Sequence, residues 1–316
     1  MRLTLTDEQR AMRELCRSLF AGAVAAERDA LWGQCVELGL TAALVPEAGG
    51  GLGLGAVEAV VVAEEAGRGA VGVPLVATLG CVALARSASL HEPLAAIAAG
   101  APAATVAGGP HAGGDAFLPA PGARRGRLLG AVVRRGAGDV AVIVGVPRDG
   151  DVELRPSIDD ALPVSFARLE LDAAGADVSA SQWLALPALM RAAEALGAAG
   201  RMLDLAVAHA KERRQFGQPI GAFQGVKHAL VDAHVALERS RSLVYGAGAG
   251  WGDDGGRAVR ATGAVAADAL LAARAAVHVH GAIGITLEHE ISRLYSRVRQ
   301  LASVLRWESR PVTAPA

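Results

Sequence analysis

Aromatic side chains are scarce: they make up 3% of the 316 residues. A core with so few rings has to be built from Ala, Leu and Val, which favours close-packed helices over a sheet-rich fold. Charge of one sign is also lacking. The net charge of −1 argues against a nucleic-acid binder and against a protein held on membranes by charge. The one local basic cluster, Arg124, Arg125, Arg127, Arg134 and Arg135, reads as a solvated loop and strand face. Cysteine is limited to Cys16, Cys35 and Cys81, an odd count with no CxxC pair, so a disulfide scaffold is excluded and a reduced, cytoplasmic setting is expected. No apolar signal-peptide core is seen at the N-terminus. The run Val73 to Ala85 is too short to span a bilayer and contains Pro74 and Gly80, so no membrane insertion is expected.

Apolar residues are plentiful, at 52% against 20% charged. A chain of this length and composition buries a sizeable core in two or three domains. Thr6-Asp7-Glu8-Gln9 reads as a capping box that opens a helix, with Met12, Leu15, Cys16, Leu19 and Phe20 as its apolar stripe. Further helical stretches are expected at Ala30 to Leu38, closed by Gly39, and at 56–68 and 75–95. Residues 99–176 change character: Gly and Pro are frequent, and Asp139 to Val146, Val152 to Arg155 and Phe166 to Leu171 read as strands of a small β-domain. The helical pattern returns at Leu184 to His209, apolar nearly all round. It continues at about 223–247, 257–280 and 287–305, the last with a stripe of Ile291, Leu294, Tyr295, Val298, Leu301 and Leu305. Gly246 to Gly256 reads as a flexible connection, and no internal repeat has a convincing period. The expected organisation is therefore mainly α with a small central β-domain: an α-domain at 1–98, the β-domain at 99–176 and a helical bundle at 177–316.

Several motifs reduce to bland readings. Gly51, Gly53, Gly55 and Ala56 fit a dinucleotide pattern, but no parallel strand or βαβ alternation surrounds them, so they read as a glycine turn. His278 and His280 are two apart on a helix and point to different faces. Glu288-His289-Glu290 is no HExxH, and no metal site is expected. Hydrolytic signatures such as GxSxG are missing.

The informative segment runs from Lys211 to Gln224, KERRQFGQPIGAFQ. Taken alone it is a charged turn between helices, with Pro219 and Gly221 as breakers and Phe223 as a core anchor. Chemically, Arg213 could fork onto a phosphate, Gln224 could bond a polar cofactor edge and Phe216 could meet an aromatic ring system. Arg213, Phe216, Gly217, Phe223 and Gln224 fall on the fixed positions of the R-x-x-F-G-x-x-x-x-x-F-Q signature, and the chain resembles the acyl-CoA dehydrogenase family. The likeness extends through Leu38-Gly39-Leu40, Val45-Pro46-Glu47, Gly50 to Gly53 and Glu64 to Arg68. It includes His280 to Glu290, which resembles the H-G-G-I-G-F-T-x-E-H-D stretch of an actinobacterial branch.

The resemblance implies an α-domain, a central β-domain and a C-terminal four-helix bundle. It implies FAD bound across a subunit interface and oxidation of the Cα–Cβ bond of an acyl-CoA thioester, with a glutamate removing the α-proton. By position it assigns FAD contacts to Arg213, Phe216, Gln224, His278, Gly281, Gly284 and Thr286. It also implies an electron-acceptor flavoprotein as partner. The sequence departs from the family in three places. The base position after the glycine motif holds Leu305, and the alternative position in the preceding helix holds Pro187. Glu194 and Glu308 are the fallback carboxylates, although Glu308 reads more simply as a solvated C-terminal charge. The flavin-contacting T-E-x-x-x-G-S-D motif is missing from a shortened 99–176, and His278 stands where Gln is usual. These losses resemble the small subunit of heteromeric (α2β2) actinobacterial acyl-CoA dehydrogenases, several of which act on steroid side-chain CoA esters in lipid and steroid degradation. In those heterotetramers a larger homologue supplies the base. A non-redox scaffold with this fold is one alternative. The other is a homomeric enzyme, such as a homodimer, with a displaced base in a biosynthetic pathway.

Overall fold

A computed structural model describes residues 4–21, 28–106, 114–121, 128–135, 139–145, 152–154, 157–169, 175–178, 185–250, 255–286 and 288–309. Five helices come first: α1 (Asp7–Phe20), α2 (Arg28–Glu37), α3 (Ala56–Arg68), α4 (Leu75–Ser87) and α5 (His91–Ala98). The Thr6 hydroxyl accepts the Gln9 N–H at 3.2 Å and the Gln9 side chain accepts the Thr6 N–H at 3.0 Å, so the capping box at α1 is formed. Cys16 and Phe20 are buried on this helix, but Leu15 is 46% exposed and lies off the stripe expected to include it. Gly39, at φ +70°, ends α2 as expected. The single helix expected over 75–95 is two helices, α4 and α5. Ser89 breaks it at φ +54°, and Pro93 in the first turn of α5 is the sequence sign of the new helix.

Among the described residues seven strands follow: β1 (Ala103–Thr105), β2 (Gly114–Pro121), β3 (Leu128–Arg135), β4 (Asp139–Gly145), β5 (Val152–Leu154), β6 (Val164–Leu169) and β7 (Gly175–Val178). They form a four-stranded sheet in the order β1-β3-β4-β7 and a three-stranded sheet in the order β2-β6-β5. All pairings are antiparallel except β1 with β3. Of the basic cluster, Arg134 and Arg135 end β3, and Arg124, Arg125 and Arg127 lie outside the described residues.

The long helices α6 (Ala185–Glu212), α7 (Gln224–Ala249), α8 (Gly255–His280) and α9 (Glu290–Glu308) pack against one another as a bundle. Among the described residues, Arg260–Ile285 has the length and hydropathy of a membrane span. Half of that apolar stretch is already buried against α6, α7 and α9, as in the core helix of a bundle. The stripe expected on α9 is buried at Ile291, Leu294, Val298, Leu301 and Leu305, with Tyr295 at its edge.

Helix α3 crosses α6 at unusually close range. A Cβ on Gly67 would stand 1.9 Å from the Glu194 carbonyl oxygen, and one on Gly197 would stand 1.8 Å from that of Glu64. Only two glycines allow this reciprocal approach. Each glycine presses on the backbone of a buried glutamate, and each glutamate anchors an ionic cluster. Glu64 accepts the Tyr245 hydroxyl at 2.6 Å and the Arg241 Nε–H at 3.0 Å, and Tyr245 in turn accepts an N–H from Arg13 at 2.9 Å. Beside it, Arg17 grips Glu65 in a two-bond fork at 2.7 and 3.0 Å, and Arg68 reaches Asp204 at 2.6 Å. The first helices are thereby clasped to the bundle. Glu194 anchors the second cluster.

Candidate functional site

The segment between α6 and α7 is more ordered than a charged turn. Arg214–Gln215 and Gln218–Pro219 pair as strands β8 and β9 of a small hairpin, with Phe216 at φ +50° and Gly217 at φ +80° forming its tip. Arg213 is fixed at the hairpin base, its N–H donating to the His209 carbonyl at 2.8 Å and its carbonyl accepting the Ile220 N–H at 2.8 Å. Phe216 is 92% exposed, and among the described residues its ring meets the edge of Phe223 at a centroid distance of 6.1 Å and 90°. Phe223, expected as a core anchor, is half-buried at the N-cap of α7, and Gln224 opens that helix exposed to solvent. A large ring held at a positive φ in full solvent gains nothing for this chain alone, and such a feature marks a surface made for contact.

The second expected segment is the 3-10 turn Gly281–Ile285 after α8. Gly281 adopts φ +63°, which a side chain disfavours, and a Cβ on Gly284 would lie 3.0 Å from the Val277 carbonyl oxygen. The Thr286 hydroxyl donates to the Ile283 carbonyl at 2.9 Å, which stiffens the exit of the turn. Ile283 and Ile285 are 50% and 72% exposed, a second apolar patch in water. His278, the expected cofactor contact, lies on the outer face of α8.

A feature that the sequence reading missed joins the two segments. The His280 ring is buried and stacks on His209 of α6, with centroids 4.6 Å apart and planes at 21°. It also meets His289, the N-cap of α9, at 5.2 Å. Burial pushes the His280 imidazole below its ordinary pKa. Burial, then the nearby Arg213 charge, does the same to His209.

The two family base positions are closed. Leu305 is fully buried in the core of α9, and Pro187 is buried in the first turn of α6, where a Cβ on Gly80 would touch it at 3.2 Å. Neither fallback carboxylate is free. Glu194 is buried and accepts from Arg297 Nη1 at 2.7 Å; burial raises its carboxyl against the pull of that arginine. Arg297 also donates to Asp159 and, at 3.0 Å, to the Val71 carbonyl. Glu308 is not the solvated terminal charge expected: its side chain is 3% exposed and Arg191 grips both of its oxygens. The same arginine donates to the Thr105 hydroxyl at 2.8 Å. A carboxylate in a two-bond guanidinium fork has its lone pairs committed, which suits structure and not proton abstraction. A cavity of about 340 Å³ adjoins Leu186, walled by Leu44, Val57 and Ala83. Its polar groups are also occupied: Glu58 binds Gln9 and the Gly55 N–H, and Arg86 binds the Leu44 carbonyl.

Comparison with known proteins agrees with this architecture. Profiles of the acyl-CoA dehydrogenase N-terminal and C-terminal domains match residues 6–91 and 173–303. Acyl-CoA dehydrogenase IpdE2 of Mycolicibacterium smegmatis is 31% identical over 286 residues, covering 86% of this chain and 81% of that protein. The chain belongs to the acyl-CoA dehydrogenase family. Its fold is shared by a Tcur3481-Tcur3483 steroid ACAD variant, with TM-score 0.79 and 23% identity, covering 96% of this chain and 94% of that one. It is shared equally by the ChsE4-ChsE5 complex of Mycobacterium tuberculosis, with TM-score 0.78 and 21% identity, covering 97% and 95%. FAD is the cofactor that goes with this family. The chain's own surface fits such a ligand: an exposed aromatic ring, a hairpin arginine and a glycine turn lie on one end of the bundle, within the matched domain.

Proposed function

We propose that this chain is a FAD-contacting subunit of a heteromeric acyl-CoA dehydrogenase whose catalytic base belongs to a larger homologous partner. The observation that carries this is the loss of every free carboxylate at the expected positions. Leu305 and Pro187 cannot take a proton, and Glu194 and Glu308 are each locked to a buried arginine. The self-sufficient alternative needs one of these glutamates free, so it is the weaker reading. The hairpin and the glycine turn, in contrast, keep the family residues and present Phe216, Ile283 and Ile285 to solvent, as a surface completed by another chain would.

In this reading Arg213 offers its fork to the cofactor phosphates, Phe216 packs on a flat ring face, and Gln224, His278 and Thr286 supply polar contacts. Gly281 and Gly284 let the backbone approach closely. Bound flavin supplies the hydride acceptor for Cα–Cβ oxidation, and an electron-transferring flavoprotein reoxidises it. The substrate is an acyl-CoA, with a steroid-derived acyl group suggested by the resemblance to steroid enzymes.

The test is co-expression with a larger family homologue, followed by the visible spectrum and acyl-CoA turnover of the purified complex. A yellow, active complex that loses activity when the partner's base is changed from Glu to Gln is expected. A colourless complex, unaffected by Arg213→Ala, would instead indicate a non-redox scaffold.

A further inference from the structure

The histidine stack is unexplained by the proposed chemistry, yet it stands where the two family segments meet. His209 lies four residues before Arg213, His280 directly precedes Gly281, and His289 caps the helix that follows the glycine turn. The bonding of two rings is specific. His280 donates from Nδ1 to the Ala276 carbonyl at 2.8 Å, because a carbonyl only accepts, so its lone pair lies on Nε2. His289 is the reverse. Its Nδ1 accepts the Ile291 N–H at 3.2 Å, so a proton placed there would remove the cap of α9 at the positive end of that helix. The rings are stacked or tilted and do not converge on a common point, and among the described residues no group is placed to hold a metal ion.

The charges that face the stack offer it little relief. Glu212, the last residue of α6, and Arg213, just past it, act on His209 with opposite sign. Glu290, beside His289 on α9, is already held by Arg201 at 3.0 Å. His280, from α8, is influenced by the two other imidazoles and its backbone partner. Two imidazolium rings 4.6 Å apart would repel strongly in this half-buried setting.

We propose that His209, His280 and His289 form a proton-sensitive joint that positions the arginine hairpin and the glycine turn relative to each other, closed when the rings are neutral and open when they are charged. The joint itself is a property of this chain alone. Its consequence for flavin, weaker retention in acid, rests on the function proposed above.

The sign follows from burial. The folded chain holds His209 and His280 neutral more strongly than the unfolded chain does, so the closed joint is fully favoured above about pH 6.5 and is lost as the pH falls below it. Amide hydrogen exchange of the full chain, corrected for intrinsic rates, is measured at pH 7.5 and 5.5. Residues 209–219 and 281–290 are expected to accelerate together by roughly tenfold at the lower pH. His209→Phe keeps a ring in the stack but carries no charge, and His289→Asn keeps a capping acceptor. Either is expected to cut the acceleration to less than about threefold. Equal exchange at both pH values in the wild type, or equal acceleration in wild type and both variants, overturns the joint. Flavin retention is followed in parallel on the complex. Acid-triggered exchange with no flavin bound at either pH upholds the joint while removing the cofactor reading.

Discussion

The close crossing of α3 and α6 gives a test in which two physical rules disagree in sign. Gly197 lies inside α6, and helix propensity says that Gly197→Ala should stabilise by about 1 kcal/mol. Packing says the opposite. The new Cβ would start 1.8 Å from the Glu64 carbonyl oxygen, and reaching even 3.0 Å requires the helices to part by 1.2 Å. Overpacking of a well-filled interface costs about 1–3 kcal/mol, and here it also strains the bonds from Glu64 to Tyr245 and Arg241. The net expectation is a loss of about 2 kcal/mol, which in a chain of 316 residues lowers Tm by roughly 3 °C in calorimetry. Gly67→Ala should behave alike, pressing on Glu194. The double variant should cost less than the two single losses combined, because helices already forced apart accept the second methyl more easily. Gly263→Ala in α8 is the control. The nearest atom to its Cβ is 3.8 Å away, so it should raise Tm by roughly 1–2 °C. A Gly197→Ala protein with a raised Tm would refute the reasoning.

Other outcomes follow from the buried groups. Arg297→Met strands both Asp159 and Glu194 and should cost about 3–5 kcal/mol, read as a lowered denaturant midpoint. Tyr245→Phe removes the hydroxyl shared by Arg13 and Glu64 and should cost about 1–3 kcal/mol by the same assay. Cys16, Cys35 and Cys81 are buried thiols pushed up to about 12, so none should react with a thiol reagent at pH 8 until the protein unfolds. Phe216→Ala touches an exposed ring and should leave stability within about 0.5 kcal/mol of the wild type while abolishing flavin retention in the complex.

The helices were the most legible part of the sequence. The box at Thr6 and Gln9, the apolar span of α6 and the stripe of α9 are local patterns, and each formed close to the expected place. Of the seven strands described in the central domain, three were read and four were not. In β2, GDAFLPAP, two prolines break the alternation, and in β3 the run LLGAVVRR does not alternate, carries a glycine and ends in arginines. The signature segment pointed to the right surface, but its hairpin form depends on Phe216 and Gly217 adopting a positive φ together. The buried charges were least legible. Arg191 and Glu194 are three apart on α6 and suggest a pair with each other, yet they bind Glu308 and Arg297, more than 100 residues away. A hint was available: charged residues set inside otherwise apolar helices seek a distant partner. The same holds for Arg297 between Leu294 and Val298.

Arg297 has a meaning for the life of the chain as well as for its fold. Its guanidinium holds Val71 from the connection between α3 and α4, Asp159 from the turn before β6 and Glu194 from the bundle, and one turn later Gln300 fastens the Leu162 carbonyl. On the ribosome these acidic groups are made long before the arginine that balances them. At about 5–20 residues per second, the roughly 100 residues from Glu194 to Arg297 take many seconds to appear. Throughout that interval Asp159 and Glu194 lack the guanidinium that binds both of them in the finished fold. A chain cut short before Arg297 lacks the group that ties Val71, Asp159 and Glu194 together, and its centre is expected to open to protease.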